Sequence, residues 1–336
     1  MNTLKLDLEN YKELMQEYIK TKDEQALYQA EQFSKHSMQH NISPEEIVNV
    51  HIESLQGLYP NMPEYIQLSL NFLLETMISY GMAYQEHQSM KEKQLELKSE
   101  ISVAANMQKT LLSTVKPERQ DVEVGALSIP AKQMNGDYHH FVEDSNGSLG
   151  IAIADVIGKG VPAALCMSMI KYSMDSFPEM RMDPSVILSS LNRVVERNID
   201  PSMFITMFYG MYDITNHTFQ YSSAGHEPGF YYSNNKDEFE EIEASGLVLG
   251  VSPEATYKEY SKEISIGDMV VLLTDGVTEC RQGDRFIEQE EILEVIREYS
   301  HLPAQETVEQ VYKHFERLQD FQLRDDFTLI ILRRNV

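Results

Sequence analysis

Four acidic positions lie where short apolar runs begin or end. Such runs, bounded by turn-forming residues, are typical of β-strands. If the strands are neighbours, the carboxylates project into one cluster, and their mutual repulsion requires cations. Two hard metal ions ~3.5 to 4 Å apart would neutralise the cluster, lower the pKa of a bridging water and hold a phosphate for in-line attack. The positions are Asp155 after 149–154, Asp275 after 269–273 and Thr274, Asp137 before a further strand, and the pair Asp325 and Asp326 before 327–332.

Asp155 taken alone has a simpler interpretation. A short segment with two glycines, 156–160, separates it from a helix that begins at Pro162. An aspartate in such a loop is commonly the N-cap of the helix. The glycines also permit the close backbone approach that a site built from carboxylate and carbonyl oxygens needs. Recurrence of the pattern at the other aspartates favours the metal site.

The remaining polar candidates are weaker. Histidines near these positions could ligate a metal, but oxygen ligands suffice and packing is the commoner role. A lysine could pair with a phosphate, although most lysines are simply solvated. The cysteines lack the Cys-x5-Arg loop of thiol phosphatases, and packing is their default role. These residues are His139, His140, His226, Lys132, Lys159, Cys166 and Cys280.

Strands and helices alternate in the second part of the chain, beyond about Asp121. The run 204–214, the turn 215–217 and the run 218–223 predict a β-hairpin. Helical patterns cover 162–176, 184–198, 289–299 and 304–319. The mixture predicts an α+β fold.

The first part of the chain, residues 1 to about 84, has a helical pattern throughout. Residues 43–46 (SPEE) combine a hydroxyl N-cap, a proline at the first helical position and a glutamate that can reach back to the cap. Pro60 ends that helix, and another starts near Pro63. A small helical bundle without chemistry of its own is predicted.

A heptad pattern continues the last of these helices over 82–112. The spacing predicts either a coiled coil or a single amphipathic helix on a domain surface, because three of its nine members are polar. We interpret it as a signalling linker. The nine members, called the seam below, are Ala83, His87, Met90, Gln94, Leu97, Ile101, Ala104, Gln108 and Leu111.

Composition excludes several classes of protein. The 336 residues fit two domains, and 42% hydrophobic residues indicate a folded chain. The net charge of -25 disfavours nucleic acid as a partner. Two cysteines in unrelated contexts fit a reduced cytoplasm. The acidic start and the lack of a long apolar run predict a protein that is neither secreted nor membrane-spanning.

Five motifs in register resemble those of the PPM/PP2C phosphatases, most closely the bacterial SpoIIE-like branch. They are GDY at 136–138, ADVIGKG at 154–160, SAGHEPGFYY at 223–232, LLTDGVTE at 272–279 and DDFTLI at 325–330. The helical part, with GMAYQEHQ at 81–88, is similar to that of Bacillus-type stress-response phosphatases. The resemblance implies a helical domain over 1–84 for dimerisation and activator binding, a helical linker over 85–120, and a PP2C-like α/β/β/α sandwich over 121–336.

The resemblance also implies ligands for two manganese or magnesium ions. These are Asp137, Asp155, Asp275 and Asp325, with the Val156 carbonyl as a further ligand. Asp326 is a further candidate ligand, and one member of the Asp325 and Asp326 pair could instead orient the other or support an accessory metal. Eukaryotic relatives carry a histidine where this chain has Ile157, so a water must protonate the leaving group.

The implied substrate is a phosphorylated anti-anti-sigma factor of the STAS type, and the implied activator is an RsbT-like switch kinase that binds the helical domain of a homodimer. Two other functions compete with this one. A phosphatase fold that has lost its activity and serves as a binding scaffold would be expected to have lost an aspartate, and none of the four is missing. A nucleotide hydrolase would be expected to carry a phosphate-cradling loop longer than 158–160.

Overall fold

The computed structural model describes residues 2–39, 42–157, 160–177, 183–200, 203–283, 285–321 and 323–336. The chain divides into two compact units, Met1–Lys98 and Ser99–Val336. Each unit has its own core, as expected for a chain of this length.

Helices make up the described part of the first unit. They are α1 (Asn2–Thr21), α2 (Glu24–Gln39), α3 (Pro44–Leu58) and the first part of α4 (Glu64–Leu111). The predicted cap is present at α3, where the Ser43 amide donates to the Glu46 carboxylate at 3.2 Å. Tyr11 joins α1 to α3 through a 2.9 Å hydrogen bond to His51 and packs on Phe33 of α2. The small apolar core includes Met15 and Val50.

Helix α4 is 48 residues long and runs through the predicted boundary at residue 84. Four apolar members of the seam remain substantially exposed: Met90 at 59%, Leu97 at 58%, Ile101 at 41% and Leu111 at 52%. Gln108, by contrast, is buried. No helix among the described residues is long and apolar enough to cross a membrane.

The second unit contains two antiparallel sheets and flanking helices. Among the described residues, one sheet has the order β1-β12-β9-β6-β7 and the other β2-β3-β4-β5-β8, and β10 and β11 form a separate ribbon. The helices are α5 (Val161–Asp175), α6 (Pro184–Asn198), α7 (Asp275–Thr278), α8 (Gln289–Tyr299) and α9 (Ala304–Leu318). The strands are β1 (Val122–Ile129), β2 (Asp137–Glu143), β3 (Leu149–Val156), β4 (Ile205–Asp213), β5 (Thr218–Ala224), β6 (Gly229–Ser233), β7 (Glu238–Ile242), β8 (Tyr260–Glu263), β9 (Met269–Leu273), β10 (Arg281–Gln282), β11 (Arg285–Phe286) and β12 (Phe327–Arg334).

Three apolar clusters define the layers. The central one lies between the sheets and contains Ile151 and Phe208 from one sheet and Leu332 from the other. Outer clusters pack α5 and α6 on the β2-to-β8 sheet, and α8 and α9 on the β1-to-β7 sheet. The layers of the second unit therefore follow the order helix, sheet, sheet, helix. This order confirms the predicted α+β sandwich. The hairpin of β4 and β5 is also present, with His217 at φ 52° in its turn.

Candidate active site

Asp137 and Asp155 face each other across two neighbouring strands. Asp137 is the first residue of β2 and is the register partner of Asp155 near the end of β3. Directly opposed residues of an antiparallel pair project on the same face of the sheet. Asp137 is 3% exposed, and Asp155 is half-buried. Two carboxylates are thus brought to one edge of this sheet.

Two threonines of the other sheet reach Asp137. The hydroxyls of Thr274 and Thr328 donate to its Oδ2 at 2.7 and 2.6 Å. Thr274 immediately precedes Asp275, and Thr328 follows the Asp325 and Asp326 pair. These bonds bring the acidic ends of β9 and β12 to the same edge as Asp137.

Gly276 permits the close approach of β9 and β12 beyond the strands. A Cβ at Gly276 would lie 1.9 Å from the carbonyl oxygen of Asp326. Any other residue would push the turn that carries Asp275 away from the turn that carries Asp325. The glycine of the TDG motif at 274–276 is therefore required by packing.

The carboxyl group of Asp137 lies in an environment that disfavours its charge. Burial raises its pKa well above the ordinary value, and the charges of Asp155 and Asp326 raise it further, whereas the two threonine hydrogen bonds lower it. A cation among these oxygens would offset both the burial and the repulsion. The donor set, which consists of aspartate oxygens, fits a hard divalent ion.

Asp325 and Asp326 differ in their contacts. Both oxygens of buried Asp326 accept backbone amides, Oδ1 from Ala131 at 2.7 Å and Oδ2 from Gly136. Oδ1 of half-buried Asp325 accepts the amide of Asp326 at 3.0 Å. Asp326 therefore fastens the segment before β2 to the start of β12.

The backbone after Asp155 continues the sheet. The amide of Val156 donates to the carbonyl of Gly136 at 3.2 Å, and that of Ile157 to the carbonyl of Phe204 at 3.0 Å.

Within the described ranges, no group of three or more His, Cys, Asp or Glu side chains is placed to hold an ion. Among the predicted ligands, the structure pairs Asp137 with Asp155 directly, whereas Asp275 and Asp325 adjoin the segments whose threonines reach Asp137.

The histidines singled out from the sequence lie in packed surroundings. His226 is buried beside β4, with Nδ1 2.9 Å from the Thr206 hydroxyl, and burial lowers its pKa to about 4. His139 and His140 lie within β2, and Nε2 of His140 is 3.2 Å from Asp175. In this arrangement His226 is a neutral side chain.

The lysines and cysteines singled out from the sequence differ in their exposure to solvent. Lys132 is exposed, and Lys159 lies outside the described residues. Cys166 and Cys280 are buried, and burial raises the pKa of the Cys280 thiol to about 12. Neither buried thiol is suited to act as a nucleophile, since the reactive form is the thiolate.

Sequence reasoning missed several residues that border the aspartates. Thr274 and Thr328 lie inside quoted motifs, but nothing in their spacing shows that both reach Asp137. Glu227 is exposed, and its pKa is raised by partial desolvation and by the charge of Asp275. Its position in the motif at 223–232 was the only available signal.

Comparisons with known proteins identify the family of each part of the chain. The family model for stage II sporulation protein E (SpoIIE) matches residues 145–335, and that for the N-terminal domain of the phosphoserine phosphatase RsbU matches residues 9–83. The chain is 55% identical to phosphoserine phosphatase RsbU of Bacillus subtilis (strain 168) over 328 residues, which cover 98% of each chain.

Solved structures share the fold of the second unit. The SiaA-PP2C domain of Pseudomonas aeruginosa aligns with a TM-score of 0.61 at 19% identity, covering 73% of this chain and 99% of that one. The PP2C phosphatase domain of SpoIIE from Bacillus subtilis, with a fragment of its regulatory domain, aligns with a TM-score of 0.54 at 20% identity, covering 64% of each chain. At these identities the likeness is one of fold.

Proposed function

The chain belongs to the SpoIIE-like family of serine phosphatases with a PP2C fold, and on this premise we propose that it dephosphorylates a phosphorylated STAS-type anti-anti-sigma factor. It is a phosphoprotein phosphatase, related over nearly its whole length to a stress-response regulator. The observation that carries the proposal is the buried carboxylate of Asp137, opposed to Asp155 and bonded to the threonines beside Asp275 and Asp325.

The proposed cofactors are two Mn²⁺ or Mg²⁺ ions. Asp137, Asp155, Asp275 and Asp325 would hold them, with the Val156 carbonyl as a further ligand. When bound, the ions lower the pKa of an attacking water and neutralise charge on the phosphate. Their attraction for carboxylate oxygens would offset the burial, and the weaker repulsion from Asp155 and Asp326, that raise the pKa of Asp137.

Hydrogen bonds from neighbouring residues position Asp137 and the backbone that precedes it. Thr274 and Thr328 fix one oxygen of Asp137. Asp326 holds the backbone at Ala131 and Gly136, a positioning role that differs from the alternatives the sequence leaves open for the pair. Ile157 is 43% exposed and carries no proton donor, so a metal-bound or bulk water would protonate the leaving group.

Activation is proposed to act through the first unit. An RsbT-like switch kinase would bind residues 1–84 of a homodimer, and the long helix α4 would carry the effect to the phosphatase domain. The exposed apolar residues of the seam support pairing of two such helices. Dephosphorylation of the anti-anti-sigma factor in the cytoplasm would then release a stress sigma factor.

A phosphatase assay tests the proposed activity against its alternatives. The purified protein with Mn²⁺ should release phosphate from a phosphoserine-bearing STAS-type protein, and faster when the activator is added. ATP and GTP should be hydrolysed far more slowly under the same conditions. Preference for nucleotides would overturn the proposed substrate class, and inactivity towards every phosphoester would favour the binding scaffold.

Metal removal should abolish activity, whereas thiol alkylation should not. EDTA removes the ions that the aspartates hold, so turnover should fall to background and return with Mn²⁺ or Mg²⁺. Iodoacetamide should leave turnover unchanged, because Cys166 and Cys280 are buried and carry protonated thiols. Full activity after exhaustive chelation, or loss of activity on alkylation at an unchanged melting temperature, would contradict this chemistry.

A further inference from the structure

Gln108 is a buried amide near the end of α4. Its side chain is 5% exposed, whereas its helical neighbours Met107 and Lys109 are exposed. A buried amide needs partners for both its oxygen and its nitrogen, because an unsatisfied polar group costs free energy. The partners of Gln108 therefore show which part of the second unit this helix end contacts.

Both partners belong to the backbone of Asn135. The Gln108 Nε2 donates to the carbonyl of Asn135 at 2.7 Å, and Oε1 accepts its amide at 3.0 Å. Paired bonds between a planar amide and one residue's backbone fix both position and orientation. Asn135 lies two residues before Asp137, so the contact is made at the entrance to the proposed metal site.

The side chain of Asn135 extends the contact to Asp137 by two routes. Its Oδ1 accepts the amide of Asp137 at 3.0 Å. Its Nδ2 donates to Ser128 Oγ at 2.8 Å, and Ser128 Oγ lies 2.8 Å from the Thr328 hydroxyl that donates to Asp137. The backbone and the carboxylate of Asp137 are thus both connected to the residue that Gln108 holds.

The segment 130–137 is also held by Asp326, at the start of β12. Asp326 accepts the amides of Ala131 and Gly136. Asp326 and Gln108 thus each hold part of the backbone that leads into Asp137. Loss of either contact removes one restraint on this segment, while the hydrogen bond from the Val156 amide to the Gly136 carbonyl still joins it to β3.

We propose that Gln108 is a positioning residue that couples the end of helix α4 to cation binding at Asp137. The inference rests on the proposed function, since it takes Asp137 to be a metal ligand. It adds a specific link between the helix that would carry the activation signal and the site that the signal would control. A displacement of the helix end at Gln108 is transmitted to Asp137 through Asn135.

The test is a titration of Mn²⁺ into the full-length protein, followed by calorimetry. Gln108→Met keeps the size of the side chain but neither hydrogen bond, and Gln108→Ala removes the side chain. Both should weaken Mn²⁺ binding by about tenfold, the lower end of the effect of groups that orient metal ligands. Turnover at saturating Mn²⁺ and KM for the phosphoprotein should be unchanged. Hydrogen exchange of the peptide 130–137 should rise in the same variants.

Asn106→Ala is the matched control, because it removes an exposed amide from the same turn of the helix. It should bind Mn²⁺ as the unchanged protein does. Unchanged Mn²⁺ affinity in both Gln108 variants would overturn the inference, and so would an equal loss in Asn106→Ala. Asp137→Asn distinguishes failure of the proposed metal site from failure of the proposed coupling through Gln108. If that variant loses Mn²⁺ binding while the Gln108 variants keep it, only the coupling fails; if it binds normally, the metal assignment and the coupling both fail.

Discussion

Replacing Asp155 or Asp275 by asparagine should abolish hydrolysis of a phosphoserine substrate while leaving the fold intact. Loss of one donor to transition-state charge costs on the order of 10²- to 10³-fold in kcat, and a ligand that also holds a cation should cost at least as much. Both aspartates are half-buried at a sheet edge and are not core side chains. Manganese-saturated turnover and the melting temperature should be measured together.

Asp237→Asn is a suitable control for these variants. Asp237 is exposed in the turn between β6 and β7 and has φ 55°, which asparagine tolerates. Like the test variants, this substitution removes one negative charge, but it does so at the end of β6 that lies away from the proposed site. Activity should therefore be unchanged. Near-normal turnover of Asp155→Asn or Asp275→Asn at saturating manganese would refute the two-metal assignment.

Deletion of residues 1–84 should leave a soluble phosphatase with low basal activity that no longer responds to the activator. The second unit retains all the aspartates and its own three clusters of buried apolar residues. The deleted segment contains α1 to α3, to which the activator is proposed to bind. Phosphatase assays with and without activator, compared with the intact protein, measure the effect.

In the intact protein, Leu97→Asp or Ile101→Asp should block activation without preventing activator binding. Both side chains are exposed in the single chain, so an aspartate costs little stability there, whereas a charge in a paired helix seam is unfavourable. The paired arrangement needs to be favoured by only a few kcal/mol for a partner to shift the population.

Ser99→Asp introduces the same side chain at an exposed position of the helix outside the seam, and this variant should activate normally. A binding titration run beside the assay separates lost binding from lost coupling. If the truncated protein responds to the activator, or if the Leu97 and Ile101 variants are activated normally, the linker connects the two domains but does not transmit the activating signal.

Local patterns were sufficient to predict most helices and strands. The helix 184–198 begins after Asp183 with a proline at its first position, and the structure has α6 over the same residues. The apolar run 269–273 coincides with β9, and the predicted hairpin is present as β4 and β5. Apolar periodicity and turn residues act over a few positions, so a single sequence contains this information.

The positions of the acidic motifs could also be identified from the sequence alone. Each aspartate adjoins an apolar run, and the five motifs occur in the order of the PP2C phosphatases. The sequence could therefore indicate a carboxylate site and its family. It could not separate Asp325 from Asp326, because adjacent identical residues differ only in which backbone amides surround them.

The amino-acid sequence by itself determined the elements, the family and the set of acidic residues, because these follow from local periodicity and motif order. Only the tertiary structure decided that β12 lies between β1 and β9 and that Thr328, 191 residues from Asp137 in the chain, donates to its carboxylate. It also decided that Gln108, predicted as a seam residue, is buried against Asn135. Such contacts depend on which sheet edges and helix ends meet when the layers pack, and no local pattern encodes that choice.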